Sequence, residues 1–527
     1  MTLNINLEKN KVFYYCLVLV IASYLFNQYY AYIGVLPIDS FLIFNSGYDL
    51  LNGVIPFKDV WTIKGPFLDL VQAIFFKIFG VSWFSYSSHA SIFNSIFALS
   101  TFLTLRKFNL ELRFCFLYSI LASLLMYPTY GTPFSDHHVS ILSLLSVYCL
   151  ILAIKTDENI YWFFIPILLF CAFFSKQVPA GYFLILIIFT SLIYFLFNFR
   201  FEKIIYGIAG CILILTIFFL LVFQNKISLN SILEQYFLFP LSLGDTRTEW
   251  LFPLEFKRVV LRYKLNYIAL AIPAYILIRN CTKNFKDIWK NESLIILSLI
   301  GTLFIFIFHQ LMTINGLFIF FCIPIFCGFS HIFAKKYFKK NKYLINFLVI
   351  LSLVSTLHYQ NKYISKRDTL FLRDVNLNKA INSSVLDEKL KNLKWITKHY
   401  SENPKEEISN LIEAMRLIKN DKRKKMLVTD YQFISVVLSI KDYAASRFWW
   451  GHHGYPDTKN KYFPVWKKFL IKKLKENQIE VIYTIKPLLG EKDILINILS
   501  DNCYSKSKLN EIVNIQVLKS CNDFNRY

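Results

Sequence analysis

Two carboxylates and an ammonium share one segment between the first two apolar runs of the chain. Asp39 lies in Pro37-Ile38-Asp39-Ser40. Asp59 and Lys64 lie in Gly53-Val54-Ile55-Pro56-Phe57-Lys58-Asp59-Val60-Trp61-Thr62-Ile63-Lys64-Gly65-Pro66. Residues 67–79 follow as an amphipathic stretch whose Phe, Leu and Ile suit it to lie along a bilayer surface. Acid and base groups beside an interfacial helix suit chemistry on a lipid-linked substrate. A charge at the mouth of a membrane helix is costly unless solvated or paired, and such charges often mark function. The plainer readings are a solvated, helix-ending Pro-x-Asp at Asp39 and an ordinary interfacial lysine at Lys64.

Four further polar groups interrupt or border apolar runs. Asp136-His137-His138 follows Tyr130-Gly131-Thr132-Pro133; one Asp and two His can contact a substrate or hold a divalent cation, or Asp136 can cap a helix starting at Val139. Lys176-Gln177 splits a run too long for one helix, and a Lys there must face a cavity, snorkel or pair. Arg247 closes the turn Pro240-Leu241-Ser242-Leu243-Gly244-Asp245-Thr246-Arg247 and is a candidate phosphate clamp. His309 and Gln310 read as a satisfied helix end. Arg447-Phe448-Trp449-Trp450-Gly451-His452-His453-Gly454-Tyr455-Pro456 is an aromatic loop suited to stacking on sugar or lipid, or simply to packing.

The elements that must position these groups are membrane helices. Of 527 residues, 55% are hydrophobic and 53 are Phe, with mean hydropathy +0.43. The apolar residues come in runs of roughly 16 to 25, the length that crosses a ~30 Å hydrocarbon core. Eleven spans are expected, at about 12–36, 81–105, 114–130, 139–154, 160–174, 178–197, 204–223, 265–279, 293–308, 317–333 and 343–358, with Ser175-Lys176-Gln177-Val178-Pro179 breaking the fifth from the sixth. The first run reads as an anchor and not a cleaved signal. Net charge is +23. Membrane topology explains much of it, because Lys and Arg concentrate in alternate short loops such as 106–113, 200–203, 279–290 and 335–342. That bias puts the N-terminus in the cytoplasm, and an odd span count puts the C-terminal part outside. Nucleic acid is not an expected partner; membrane lipid is. Eight of the ten cysteines sit in or beside apolar spans. Cys503 and Cys521 fall in the tail, where an oxidising compartment favours their pairing.

The tail, 359–527, reads as a separate soluble α/β domain after a membrane domain at 1–358. Helices are expected at 389–399, 408–418 and 464–475, and short buried strands at 426–429 and 481–484 form a parallel pair. No Gly-rich phosphate loop, nucleophile elbow or Cys-x-x-Cys pair is present.

The first loop, with Asp39 near the end of the first span and Ile63-Lys64-Gly65-Pro66 before an interfacial helix, resembles that of GT-C glycosyltransferases. The similarity is to bacterial relatives of protein O-mannosyltransferases and to aminoarabinose transferases, and it covers about the first 360 residues. The frequent Asp-Glu pair of that family is Asp39-Ser40 in this chain, and Ile63, where some relatives carry a metal ligand, cannot ligate. The resemblance implies an inverting hexosyl or pentosyl transfer from a polyprenyl-phosphate donor to a lipid, glycan or protein acceptor on the extracytoplasmic face of a bacterial plasma membrane. Asp39 would be the general base. Asp59, Lys64, Asp136, His137, His138, Lys176, Gln177 and Arg247 would contact substrate, with Lys64 near the carrier phosphate. No cofactor is certain and a divalent cation stays open. A transporter or flippase for lipid-linked glycans is the alternative, although its charges would more often lie mid-span or in repeats.

Overall fold

The computed structural model describes residues 2–244, 254–313, 319–338, 341–451, 453–486, 488, 494–509 and 512–519, and side chains from Asn10 onward. Arg247, Cys521 and His452 lie outside the described residues. Ten helices build the first part of the chain: α1 (Thr2–Ala31), α2 (Pro37–Ser40), α3 (Leu42–Leu51), α4 (Phe67–Phe79), α5 (Trp83–Lys107), α6 (Leu112–Leu125), α7 (Ser135–Thr156), α8 (Ile160–Phe173), α9 (Gln177–Phe197) and α10 (Phe201–Gln224).

Among the described residues, eight helical segments are long and apolar enough to cross a membrane: Asn10–Ala31, Leu112–Thr129, α7, α9, α10, Asn291–Thr313, Ile319–Tyr337 and Lys342–Leu370. α10 is exposed along almost all its apolar length. A helix of that kind is stable in lipid and a liability in water. The protein is an integral membrane protein.

The other three expected spans differ for physical reasons. α5 has the length but carries a row of polar residues: Ser91 Oγ accepts from Asn27 Nδ2 and Gln28 Nε2, each at 2.9 Å, and Ser88 bonds Tyr24 at 2.8 Å. Polar side chains of this kind join helices in lipid. α8 is a shorter apolar helix, separated from α9 at Ser175-Lys176 as expected. The span expected over 265–279 is two helices, Lys264–Ala269 and Ala271–Lys283. Pro273 has no N–H to give the carbonyl of Ala269, so the ladder breaks there, and Ser330 Oγ takes that carbonyl instead.

The chain forms two compact units, one of residues 1–31, 87–219 and 247–369, the other of 32–86, 220–246 and 370–527. In the second, the segment after α1 is stitched to the tail. Gly34 N donates to Lys394 O (2.9 Å), Val35 N to Ile396 O (3.1 Å) and Trp61 N to Ala445 O (2.8 Å). Gly34 has φ +75°, a backbone that glycine adopts without strain, and a Cβ there would displace the Leu372 methyl. The expected helix over 389–399 is not formed. A single 3-10 turn, Glu388–Leu390, leads into β2 (Lys394–Trp395), which pairs antiparallel with β1 (Ile381–Asn382). The backbone there is committed to this pairing and to Gly34, and tertiary pairing overrides the local helical pattern.

The tail sheet has the order β3-β4-β6-β5, from β3 (Lys425–Thr429), β4 (Val481–Ile485), β5 (Tyr504–Lys508) and β6 (Val513–Leu518). β3 and β4 run parallel as expected. Leu427, Val481 and Tyr483 pack with the helix Pro404–Asn420 through Ile408, Leu411 and Met415. Met426, Val428 and Ile482 pack with the helix Phe463–Glu476 through Trp466, Leu470 and Leu474. Alternate residues thus serve two helices, which is why both strands read as unbroken apolar runs.

Candidate active site

The first unit gathers charge at the ends of its apolar helices. Phe134 is extended (φ −141°, ψ 133°) and α7 begins at Ser135, so Asp136, His137 and His138 all fall in its first turn, and all are buried. Asp136 does not cap the helix. Its Oδ1 instead accepts from Lys176 Nζ at 2.5 Å and lies 3.4 Å from His309 Nε2. Lys176 itself is the extended residue just before α9 (φ −163°), and Gln177 is the first residue of that helix. His138 bonds Tyr127 Oη through Nδ1 and His89 Nε2 through its own Nε2, the latter at 2.9 Å. His137 stacks on Tyr127 with ring centroids 5.0 Å apart. The turn before α7 is braced by Arg367, fully buried, whose guanidinium donates to the carbonyls of Pro128 (2.9 Å) and Tyr130 (2.7 Å).

His89 and Arg258 escaped the sequence reading. Arg258 Nη2 donates to Leu311 O at 3.0 Å, which puts a guanidinium against the end of the helix that carries His309 and Gln310. It stands in the same inter-span loop as Arg247, and its neighbours Lys257 and Arg262 were the available signal. His309, read as a satisfied helix end, proves to be a partner of Asp136.

In the second unit, α4 is amphipathic in an inverted sense. Asp69 and Gln72 are buried with Leu68, Ala73 and Phe76, whereas Leu70, Ile74, Ile78 and Phe79 are exposed. The outward row of large apolar residues, with the exposed Lys77 beside it, suits a lipid surface. The inward face lines a small cavity of about 50 Å³, bounded by Ser46, Asp49, Lys64, Asp69, Arg447 and Phe448. Ser46 Oγ donates to Asp69 Oδ1 at 2.5 Å, and Lys64 Nζ lies 5.3 Å from the centre of the Phe448 ring. Burial pushes Asp69 up to about 6, against the Ser46 hydrogen bond and the Lys64 charge. Burial likewise pushes Asp49 up to about 7, although the Arg447 guanidinium touches it. Arg447 also reaches Asp442 at 3.2 Å, so one guanidinium serves two buried carboxyls.

Asp39 is half-buried in the first turn of α2, apart from α1, and does not line that cavity. Asp59 does not line it either. Its Oδ2 accepts from Ile55 N at 3.0 Å and its Oδ1 lies 3.4 Å from Lys473 Nζ, which fixes the turn 55–59. Asp69, a carboxyl in the first turn of a mostly apolar helix, is the residue that should have drawn notice.

Among the described residues, no three His, Cys, Asp or Glu side chains converge as a metal site. At Asp136-His137-His138 the donors do not suit a divalent cation. A lysine ammonium already occupies the space beside the Asp136 carboxylate, and both ring nitrogens of His138 are engaged.

No family model and no curated protein sequence matches the chain. Among solved structures, it is similar to the Archaeoglobus fulgidus oligosaccharyltransferase, whose crystal structure is a complex with zinc and sulfate. Identity is 12% and the TM-score 0.42, over 89% of this chain and 68% of that one. Overlap of that degree assigns neither an activity nor a ligand.

Proposed function

We propose that the protein is a GT-C-type membrane glycosyltransferase that moves a sugar from a polyprenyl-phosphate donor to an acceptor outside the cytoplasm, inverting the anomeric centre. The buried Asp136–Lys176 pair with His309 beside it carries this reading. Charge held at the ends of long apolar helices is expensive in lipid and repays its cost where a substrate is itself a lipid with a charged head.

In this reading Asp39 takes the proton of the acceptor hydroxyl as the oxygen bonds to the anomeric carbon. The bond from that carbon to the carrier phosphate breaks, and its electron pair stays on the phosphate. Lys64, helped by Arg247 or Lys176, offsets the charge that develops there. Asp136, His137, His138 and Gln177 orient the sugar. Asp59 is better read as a brace of its turn than as a substrate contact. Residues 1–358 form the membrane domain, with the N-terminus cytoplasmic. Residues 359–527 lie outside, and the acceptor is a lipid, glycan or protein of the cell envelope.

Reconstitution into liposomes separates this from a flippase. With donor lipid and candidate acceptors supplied, a transferase yields glycosylated acceptor and free polyprenyl phosphate in equal amounts. Movement of intact donor between leaflets without either product would overturn the proposal.

A further inference from the structure

The first unit has a cavity of about 1010 Å³ at the α5–α6 turn, and it plays no part in the reading above. Its walls combine Leu103, Leu145, Phe164 and Leu168 with the polar Thr104 and Tyr148, and its rim carries Arg106, Lys107 and Glu111. A second cavity of about 540 Å³ shares Asn109 and Leu110 with it and is rimmed by Lys155, Lys335, Lys336 and Glu292. The two flank the same turn like the arms of a fork, with five cations against two carboxylates between them.

Both carboxylates are already neutralised. Glu111 pairs with Arg113 (3.0 Å) and Lys335 (3.1 Å), and Glu292 with Lys336 (2.5 Å). Lys107 is held by Glu158 at 2.9 Å. Arg106 is exposed at the rim and, among the described residues, makes no ion pair. Leu103 and Phe164, in the wall below it, are each about two-fifths exposed. The cavity therefore opens sideways through apolar surface while its mouth keeps an unneutralised guanidinium.

We propose that this forked cavity binds an anionic glycerophospholipid of the surrounding membrane. The headgroup phosphate meets Arg106, with the lysines of the rim adding to the field, and an acyl chain lies along Leu103, Leu145 and Leu168. A guanidinium is the side chain best shaped for a phosphate, and basic pockets between membrane helices take anionic headgroups. A water-soluble anion would gain nothing from the leucine walls, and a zwitterionic lipid would gain little from the net positive rim.

The test is native mass spectrometry of the full chain, delipidated in mild detergent and titrated with phosphatidylglycerol or phosphatidylcholine. At least tenfold preference for phosphatidylglycerol is expected in the wild type. Arg106→Glu should lower its retention tenfold or more. Leu103→Trp keeps every cation but places a bulky ring across the apolar wall where the acyl chain would lie and should lower it as well, so the question stays decidable if the charge variant fails to fold. Equal retention of the two lipids, or undiminished phosphatidylglycerol binding in Leu103→Trp, would overturn the proposal.

Discussion

Lys176 Nζ lies 2.5 Å from Asp136 Oδ1 although the two residues stand at the starts of different helices, α9 and α7, and Asp136 is almost fully buried. The ammonium satisfies a carboxylate that would otherwise be stranded at the end of an apolar helix, and His309 closes the other side at 3.4 Å. The pair therefore meets a structural need, and in the proposed reaction the same ammonium is a charge that the donor phosphate would meet.

Breaking that pair from one side should cost more than removing it whole. Lys176→Met leaves Asp136 without its strongest partner, and a loss of about 3 kcal/mol is expected from comparable buried pairs. The double variant Lys176→Met with Asp136→Leu should recover much of that loss. Thermal midpoints of the four proteins in one detergent check the cycle; additive losses would mean that the pair is not coupled.

The contribution of Asp69 and Asp49 to stability should fall as pH rises from about 4 to about 7. Asp69 and Asp49 are raised by burial to about 6 and about 7. Across that window these two carboxyls bind more protons in the folded protein than in the unfolded chain, so the stability they contribute falls with each unit of pH. For Asp69 alone the span is worth roughly 3 kcal/mol. Asp69→Asn should flatten the profile of thermal midpoint against pH, and a variant profile as steep as the wild type's would show that Asp69 keeps its ordinary titration.

Much of this architecture is legible in residue order, for reasons that can be named. The α4 boundaries follow from Pro66 before it and Gly80 after it, and the break before α9 from a Lys and a Pro in an apolar run. The parallel β3–β4 pair follows from two short apolar runs with an amphipathic helix between them. What is not legible depends on long-range pairing. α3 lies where a plain loop is expected, and it is pinned by Asp49 to Arg447, 398 positions away. Similarly, the helical pattern over 389–399 yields to pairing with Gly34 and β1. Asp69 and Arg258 acquire meaning only from what folds against them, whereas Asp136 and Lys176 stand out by type alone.

Asp39→Asn should insert and fold normally yet lose transfer, because an amide cannot take the acceptor proton. A general base is worth roughly 10²–10⁴-fold in rate. Lys64→Ala should weaken use of the donor, with a smaller loss if Arg247 shares the phosphate, and Arg247→Ala added to Lys64→Ala should then cost more than either alone. Steady-state kinetics on the three variants decide this. Near-normal turnover in Asp39→Asn would remove Asp39 from the mechanism.

Cys503 is disulfide-bonded, and the eight other described cysteines are free. Peptide mapping should find its partner to be Cys521, the one remaining cysteine in the sequence. In the chain-entropy view a loop of that size stabilises by roughly 3 kcal/mol. Alkylation of both thiols without reductant would refute the bridge and weaken the extracytoplasmic placement of the tail with it.

The most direct measurement is release of the carrier. Purified protein is incubated with a panel of polyprenyl-phosphate sugars and hydroxyl-bearing acceptors, and free polyprenyl phosphate is quantified by mass spectrometry. Acceptor-dependent release from at least one donor is expected, with inverted configuration in the product and no release by Asp39→Asn. Wild-type protein that binds these lipids but releases no polyprenyl phosphate from any donor would contradict a transferase.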